Sequence, residues 1–344
     1  MKKINLAIFG TRPEVIKLFP LFRKMSFVII NTGQQRELSK MMLDLFNIVP
    51  DIDLNLMTKN QSICEFLSRA IKELDKVVKF QQVDRIWVQG DTMSALAGAL
   101  VAKMNKIELV HLEAGLRTFD DTNPFPEESN RILIDHMADI LFAPTHQNIE
   151  NLMREHVKGN IYLVGNTIVD ALNIFKKKIP KNRKNTNYII ATLHRRESFG
   201  KDMEECLKAL KKLSEQYWVV LPIHPNPNVQ KAIKKIGLHT MPPMDYNTFL
   251  YELKGCKFIV TDSGGIVEEA ASFGKKVIIL RKKTERQEAI NAGYATLIDK
   301  MECNHILKKI KEFSEKKVNI TKNVFGDGHA VDKIIKIIKK LDGK

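Results

Sequence analysis

Short apolar runs alternate along the whole chain with longer stretches in which apolar residues recur at helical spacing. Apolar runs bounded by turn residues predict strands, and the stretches between them predict amphipathic helices. A first series of predicted strands covers residues 4–9, 27–31, 86–89, 107–112 and 140–143. A second series covers residues 161–164, 188–192, 218–222, 258–261 and 277–280. Because consecutive parallel strands need crossover connections, usually helices, this order predicts an α/β fold with two parallel sheets.

The same pattern predicts two domains. A boundary near Gly165 gives a first domain of residues 1–165 and a second domain of residues 166–329. The terminal stretch 330–344 has apolar residues at helical spacing, so it predicts a helix. The sequence does not show where this helix packs, and the first domain is the expected partner. In such sheets the loops at the carboxyl ends of the strands line the ligand crevice. We therefore expect an active site in the cleft between the domains.

Composition and charge narrow the class of protein. The chain has 344 residues, of which 44% are hydrophobic and 28% charged, so it is long enough for two globular domains and disorder is not expected. A net charge of +15 suggests an anionic partner. The basic residues are spread over helix-like stretches without an aromatic platform, so nucleic-acid binding is disfavoured against a phosphorylated metabolite.

Cysteine spacing and hydropathy indicate the compartment. The four cysteines show no C-x-x-C pairs, which argues against a disulfide framework and a zinc cluster. No apolar run approaches the roughly 18 to 20 residues that span a bilayer. We expect a cytoplasmic protein without a membrane segment.

Charged side chains are concentrated after the predicted strand 107–112. Glu113 and Arg117 follow this strand, and Glu127 and Glu128 follow Pro126 at the start of a predicted helix. Loop carboxylates at a strand end favour chemistry, so we interpret Glu113 and Glu127 as functional and Arg117 as a substrate contact. For Glu128 a structural reading is equally open, because acidic residues at a helix start favour the helix dipole.

Two earlier strand ends carry further candidates. Arg12 and Lys17 follow the first strand and could neutralise phosphate oxygens, although Lys17 could also be an exposed lysine on a capped helix. Asp91 follows the strand 86–89 as a helix cap, a catalytic carboxylate, or both. The glycine-rich nicotinamide and P-loop signatures are absent, so neither cofactor type is expected.

A glycine-containing turn in the second half predicts an anion site. Ser263, Gly264 and Gly265 follow an apolar strand and open a predicted helix, where free amides and the helix dipole favour an anion. Glu269, about a turn into this helix, could accept hydrogen bonds from sugar hydroxyls or could be a solvated surface residue.

Two histidines also follow predicted strands. His194 and His224 each lie in a loop rich in polar residues, which favours a functional role over a structural one. No histidine or carboxylate spacing typical of a metal site accompanies them, so metal binding is not expected.

Taken together, these segments resemble the non-hydrolysing UDP-N-acetylglucosamine 2-epimerases, which have two Rossmann-like domains of the glycosyltransferase-B type. The resemblance covers nearly the whole chain and rests on the order and spacing of ten segments: 10–17, 32–34, 89–92, 111–118, 124–131, 165–167, 192–198, 261–265, 284–286 and 325–328.

The resemblance implies inversion at C2 of UDP-N-acetylglucosamine to give UDP-N-acetylmannosamine, without a cofactor or a metal. The implied route expels UDP, leaves a 2-acetamidoglucal, and adds UDP back after C2 is reprotonated on the other face. The resemblance assigns proton transfer to Asp91, Glu113 and Glu127, with His194 near the diphosphate. It further implies a homodimer.

The remaining implied roles concern the nucleotide. Arg12 and Lys17 of the first domain, and Ser263, Gly264 and Gly265 of the second, are implied to contact the diphosphate. Glu269 is implied to bind the ribose hydroxyls. Phe249 is implied to lie near the uracil, although it could equally be a core residue.

Three departures from the family pattern are visible. Gln35 replaces a usual histidine in a segment that helps form a regulatory UDP-N-acetylglucosamine site in many members, which leaves allosteric control by substrate open. The connection 16–28 is shorter than usual, and Gln287 replaces a usual proline. Two other activities compete with the implied one: a hydrolysing 2-epimerase that releases free N-acetylmannosamine, and a 2-epimerase for a modified UDP-sugar such as a diacetamido-uronate.

Overall fold

The chain divides into two units, each built around its own parallel sheet. The first unit comprises Met1–Ala171 and Gly326–Lys344, and the second comprises Leu172–Phe325. The computed structural model describes residues 4–80, 82–177, 179–180, 187–194, 199–223, 226–318 and 322–343. The predicted α/β class with two parallel sheets is confirmed.

The first unit begins with alternating strands and helices. These are β1 (Asn5–Phe9), α1 (Arg12–Phe22), β2 (Val28–Asn31), α2 (Arg36–Phe46), β3 (Ile52–Asp53), α3 (Ile63–Phe80), β4 (Arg85–Gln89), α4 (Met93–Met104), β5 (Glu108–Leu112), α5 (Glu127–Met137), β6 (Ile140–Ala143), α6 (His146–Arg154), β7 (Asn160–Leu163) and α7 (Thr167–Lys176), the last of which continues into the second unit.

The seven strands of the first unit are parallel and lie in the order β3-β2-β1-β4-β5-β6-β7. The strand at 160–163, assigned above to the second series, instead pairs with β6 at the edge of this sheet. That assignment was wrong because an apolar run does not reveal which sheet its strand joins. The strand order reverses between β1 and β4, where loops from neighbouring strands diverge and leave room for a ligand.

The second unit has a five-stranded parallel sheet. Its elements are β8 (Tyr188–Thr192), α8 (Lys201–Leu213), β9 (Trp218–Val220), α9 (Pro227–Ile236), α10 (Tyr246–Gly255), β10 (Phe258–Thr261), α11 (Gly264–Ser272), β11 (Lys276–Leu280), α12 (Gln287–Asn291), β12 (Ala295–Ile298) and α13 (Cys303–Glu315). The order is β12-β11-β10-β8-β9, and it reverses between β8 and β10. The sequence reading missed β12, an edge strand with two half-buried positions.

Burial explains why these segments form their elements. All five residues of β4 are buried, which suits a central strand covered on both faces by helices. In α3 the buried residues recur every four positions, from Phe66 through Ala70 and Leu74 to Val78, so one face of this helix packs on the core. No helix in the described part of the chain is long and apolar enough to cross a membrane.

The C-terminal helix, α14 (Ala330–Asp342), belongs to the first unit. It buries Val331, Ile334 and Ile338. The carboxylate of Asp170 accepts hydrogen bonds from the backbone amides of Ala330 and Val331, at 3.2 and 3.1 Å. Amides at a helix start have no partner within the helix, so Asp170 satisfies two of them.

We predict that Asp170→Ala lowers the free energy of unfolding by about 1–2 kcal/mol, because two amides at the start of α14 lose their acceptor. Denaturant melts followed by circular dichroism measure this loss. Lys333→Ala, which removes an exposed ion pair with Asp327 close by, is the control and changes stability far less. Equal midpoints for the two variants would contradict the capping role.

Candidate active site

The loops after β1, β4 and β5 carry the candidate residues of the first unit. Gln89 of β4 pairs in register with Leu112 of β5, and the amide of Gly90 donates to the carbonyl of Leu112 at 3.0 Å. Asp91 follows β4 and Glu113 follows β5, so the two residues emerge from adjacent strand ends. The strand order places the β1 loop on the other side of β4.

The turn after β1 is held by a buried glutamate. A Cβ on Gly10 would lie 2.1 Å from the Thr32 hydroxyl, so only glycine fits there. One carboxylate oxygen of Glu14 accepts from the amides of Gly10 and Thr11, at 3.0 and 2.8 Å. Its other oxygen accepts from the Thr92 hydroxyl at 2.7 Å. Glu14 thus joins the β1 and β4 loops, a role that the sequence reading did not identify.

Lys17 and Glu113 form a buried ion pair. Their side chains are only 6% and 7% exposed, so the reading of Lys17 as an exposed lysine is wrong. Gln89 donates to the same carboxylate at 2.9 Å. The ion pair and this hydrogen bond fix the carboxylate of Glu113 beside a cation.

Asp91 is paired with Arg131 of α5, at 2.6 Å between the guanidinium and the carboxylate. The N-cap of α4 is Thr92, whose hydroxyl accepts from the amide of Ala95 at 3.0 Å. Asp91 is therefore not the cap, and its carboxylate remains a quarter exposed. This arrangement leaves Asp91 accessible for chemistry.

The two acidic residues at the start of α5 differ in environment. Glu128 is fully buried, and its carboxylate accepts from the amides of Thr118 and Phe119 at 2.8 Å each. It also pairs with Arg131, so Glu128 fixes the preceding loop. Glu127 is half-buried at the first position of the helix.

Arg117 lies in a buried charge network rather than at the surface. Its guanidinium has no exposed area and pairs with Asp135 at 2.8 Å and with Glu155 at 2.6 Å. The Asp135 carboxylate also accepts a hydrogen bond from Nδ1 of His111, and Nε2 of the same ring lies 2.8 Å from the carbonyl of Gly90. The predicted substrate contact by Arg117 is not supported, because two carboxylates already occupy its donors.

In the second unit, His194 and Asp262 follow the neighbouring strands β8 and β10. The amide of His194 donates to Asp262 at 2.7 Å, and the ring Nδ1 lies 3.3 Å from the other carboxylate oxygen. These bonds orient an imidazole that is about one third exposed. The predicted contact by His224, like residues 195–198 of the histidine motif, lies outside the described residues.

The Ser-Gly-Gly turn begins α11 as the sequence predicts. Ser263 is the N-cap, and Gly264 and Gly265 are the first two residues of the helix. A Cβ on Gly264 would lie 2.7 Å from a carboxylate oxygen of Glu285, whereas one on Gly265 would meet nothing within 4 Å. Gly264 is thus required by packing, and Gly265 leaves open space beside the helix amides.

A buried network of two arginines and two glutamates supports this turn. Arg286 pairs with Glu268 at 2.6 Å and also with Glu285, which in turn pairs with Arg281 at 3.0 Å. All four residues are at most 5% exposed. Sequence reasoning missed Glu268 and Arg281 as partners, although the motif 284–286 signalled the other two.

The predicted ribose and uracil contacts lie in the same unit. Glu269 is 7% exposed, and its carboxylate accepts from the Tyr246 hydroxyl at 2.8 Å, so the surface reading is wrong. Phe249 on α10 is half-buried and therefore neither a full core residue nor a free surface aromatic. Among the described residues, no group of three or more His, Cys, Asp or Glu residues is arranged to hold a metal.

Two Rossmann-like sheets with polar residues at their carboxyl edges define the chain as an α/β protein of the glycosyltransferase-B type. The family model described as UDP-N-acetylglucosamine 2-epimerase matches residues 22–339. The chain belongs to this family, as its motifs predict.

Relatives align over almost the whole chain. The UDP-N-acetylglucosamine 2-epimerase of Campylobacter jejuni is 37% identical over 376 residues, covering 99% of this chain and 98% of that protein. The Bacillus subtilis enzyme of the same name is 38% identical over 363 residues, covering 97% and 95%.

Solved structures agree with the fold. The Staphylococcus aureus MnaA–UDP co-structure superposes with a TM-score of 0.91 at 37% identity, covering 100% of this chain and 97% of that chain. The Neisseria meningitidis UDP-GlcNAc 2-epimerase bound to UDP-GlcNAc superposes with a TM-score of 0.91 at 34% identity, covering 98% and 100%.

The buried Glu14 predicts a pH-dependent stability. Burial raises the pKa of Glu14 from 4.5 to about 7, against the hydrogen bonds to Gly10, Thr92 and Thr11 that lower it. The stabilising protonated form is fully present below pH 4.5 and is lost as the pH rises through about 7. Ionising this carboxyl costs the folded state on the order of 3 kcal/mol.

Glu14→Gln removes that cost while preserving the shape of the side chain. We expect the melting temperature of the variant, minus that of the wild type, to increase from pH 5 to pH 8. Thermal denaturation at four pH values measures it. Glu65→Gln is the control, because hydrogen bonds from Ser62 lower the pKa of that exposed carboxyl and the difference should then stay constant. A constant difference for Glu14→Gln as well would refute the shifted pKa.

Proposed function

We propose that this protein inverts C2 of UDP-N-acetylglucosamine to give UDP-N-acetylmannosamine. The observation that carries the proposal is the pairing of each strand-end carboxylate with its own cation: Glu113 with Lys17, and Asp91 with Arg131. Membership of the 2-epimerase family supports the substrate, since the Neisseria meningitidis relative was solved with UDP-GlcNAc bound.

The proposed reaction begins with an elimination. A carboxylate removes the hydrogen on C2, the C1–C2 double bond forms, and the C1–O bond breaks to release UDP and leave 2-acetamidoglucal. A second carboxyl group then protonates C2 on the opposite face while a UDP oxygen re-forms the bond to C1. We assign these proton transfers to Asp91, Glu113 and Glu127, because proton transfer to and from carbon needs positioned acids and bases.

Fixed positive groups stabilise the departing diphosphate in this scheme. Lys17 is engaged with Glu113, so we assign it to holding that carboxylate in place, and we assign Arg12 to the diphosphate. Arg12 begins α1 and is half-buried, and its amide donates to Gln35 at 3.3 Å.

We assign the nucleotide to the second unit. The first amides of α11 have no partners within the helix and lie at its positive end, which suits a diphosphate. Ser263, Gly264 and Gly265 supply this turn, and His194 on the neighbouring strand end is oriented by Asp262. The buried carboxylate of Glu269 is proposed to bind the ribose, with Phe249 beside the uracil and His224 as a further contact.

Incubation with UDP-N-acetylglucosamine in deuterated water, followed by proton NMR, tests the reaction. We expect deuterium at C2 and a mixture of gluco and manno products. Free N-acetylmannosamine with UDP would replace the proposal with a hydrolysing 2-epimerase, and an inert substrate would indicate a modified UDP-sugar. Asp91→Asn and Glu113→Gln should each slow the exchange by at least about 100-fold. Glu73→Gln, on the surface of α3, should not.

The nucleotide assignment predicts different effects for the two glycines of the turn. Gly265→Ala should leave the melting temperature unchanged, because its Cβ meets open space, yet weaken UDP binding by about tenfold or more through blocking approach to the amides. Gly264→Ala should lower the melting temperature, because its Cβ meets Glu285. Calorimetric titration with UDP measures binding, and unchanged affinity in Gly265→Ala would exclude the turn as the diphosphate site.

The homodimer and the cytoplasmic location stay predictions from the family resemblance, to be tested by analytical ultracentrifugation and cell fractionation.

A further inference from the structure

The buried histidine of β5 joins the two loops that carry the proposed acid/base residues. His111 has no exposed area. Its Nε2 lies 2.8 Å from the carbonyl of Gly90, the residue before Asp91. Its Nδ1 lies 2.6 Å from the carboxylate of Asp135 on α5. His111 itself precedes Glu113 by two residues, so its ring links the strand that leads to Glu113 with the loop of Asp91.

Both ring nitrogens of His111 face oxygen acceptors. Burial alone would raise the pKa of Asp135, but His111 and Arg117 beside it hold its pKa below the ordinary value. The ring of His111 is therefore fixed between a carboxylate and a main-chain carbonyl.

The same carboxylate fixes the loop that follows Glu113. The second oxygen of Asp135 accepts from the amide of Gly115 at 3.1 Å and from Arg117 at 2.8 Å. The carbonyl of Gly115 accepts from Asn151 at 2.9 Å. Gly115 has φ +86°, and a Cβ there would lie 2.3 Å from a backbone carbonyl of α6. The turn is thus held from both sides.

This support matters because Glu113 has a left-handed backbone, with φ 68°. Such a conformation is unfavourable for a residue with a Cβ, so it persists only where the surroundings impose it. Hydrogen bonds from the amides of Glu113 and Ala114 to the carbonyl of Phe142, and from Gly115 to Asp135, impose it here.

We propose that His111 is a positioning residue for epimerisation: its Nε2 hydrogen bond sets the Gly90 carbonyl and so fixes the loop of Asp91 relative to Glu113, which follows His111 on the same strand. This role rests on the function proposed above. His111 touches no substrate in it. Of its two hydrogen bonds, the one to Gly90 acts directly on the loop of Asp91.

Two substitutions at His111 separate these hydrogen bonds. His111→Gln places an amide nitrogen near the position of Nε2, so it keeps a donor for Gly90 and loses the bond to Asp135. His111→Asn places an amide nitrogen near the position of Nδ1, so it keeps the bond to Asp135 and loses Gly90. Both variants replace the ring by an amide, so they are a matched pair.

We expect kcat for epimerisation to fall by about 100-fold or more in His111→Asn, with KM within about threefold of the wild type, because a shift of the catalytic carboxylate of roughly 1 Å has an effect of this size. His111→Gln should restore kcat to within about tenfold of the wild type. Equal loss in both variants, or wild-type kcat in His111→Asn, would overturn the proposal.

A control distinguishes positioning from a general loss of stability. Glu155→Gln weakens the outer end of the network, its pair with Arg117, and leaves the bonds to Gly90 and Gly115 in place. Even if Glu155→Gln lowers the melting temperature as much as His111→Asn does, it should keep wild-type kcat. A kcat as low as that of His111→Asn would show that the network acts only on stability.

If the His111 variants do not fold, Asp135→Asn tests the positioning role of His111 instead. An asparagine oxygen can still accept from Gly115, and His111 can still donate to Gly90, so kcat should stay within about tenfold of the wild type. A 100-fold loss in the folded variant would overturn the proposal. Wild-type protein that is inert on UDP-N-acetylglucosamine would instead refute the proposed function, so the two failures are distinguishable.

Discussion

The buried ion pair between Lys17 and Glu113 is the interaction on which the site of the first unit depends. It joins helix α1 to the loop after β5, across the strand β4 that separates them in the sheet. Removing either partner would leave a single charge in the protein interior, which is far more costly than burying the pair. The pair therefore ties the geometry of the site to the order of β1, β4 and β5 in the sheet.

In the second unit, too, buried charges are compensated by pairing, with different residues. Behind the Ser263 turn, Arg286 is paired with Glu268 and Glu285, and Glu285 is paired with Arg281. This arrangement puts a rigid support with compensated charge beneath the turn. Under the proposed function, such a support favours nucleotide binding, because a flexible turn would lose affinity through the entropy of ordering it.

Local sequence patterns were sufficient for most of the strands, for the loops at their ends and for the turn at Ser263, but they missed the edge strand β12 and assigned the strand at 160–163 to the wrong series. They were sufficient because apolar runs, glycine turns and helix starts are encoded over a few residues. They failed where the deciding partner is remote in the chain. His111 reads as one polar residue in an apolar strand, and its partner Asp135 lies 24 residues later on a helix. Similarly, Arg117 looks like a free guanidinium until folding brings Asp135 and Glu155 to it.

The helix α14 completes the first unit although it follows the second unit in the chain. During synthesis from the ribosome, the seven strands of the first sheet emerge long before the segment that covers Arg85 and receives the cap from Asp170. The second unit, in contrast, is continuous and can acquire its full core as soon as its last helix has emerged. Until α14 has been synthesised, the first unit therefore lacks the helix that buries Val331, Ile334 and Ile338, and uncovered apolar surface of this kind favours aggregation of partly folded chains.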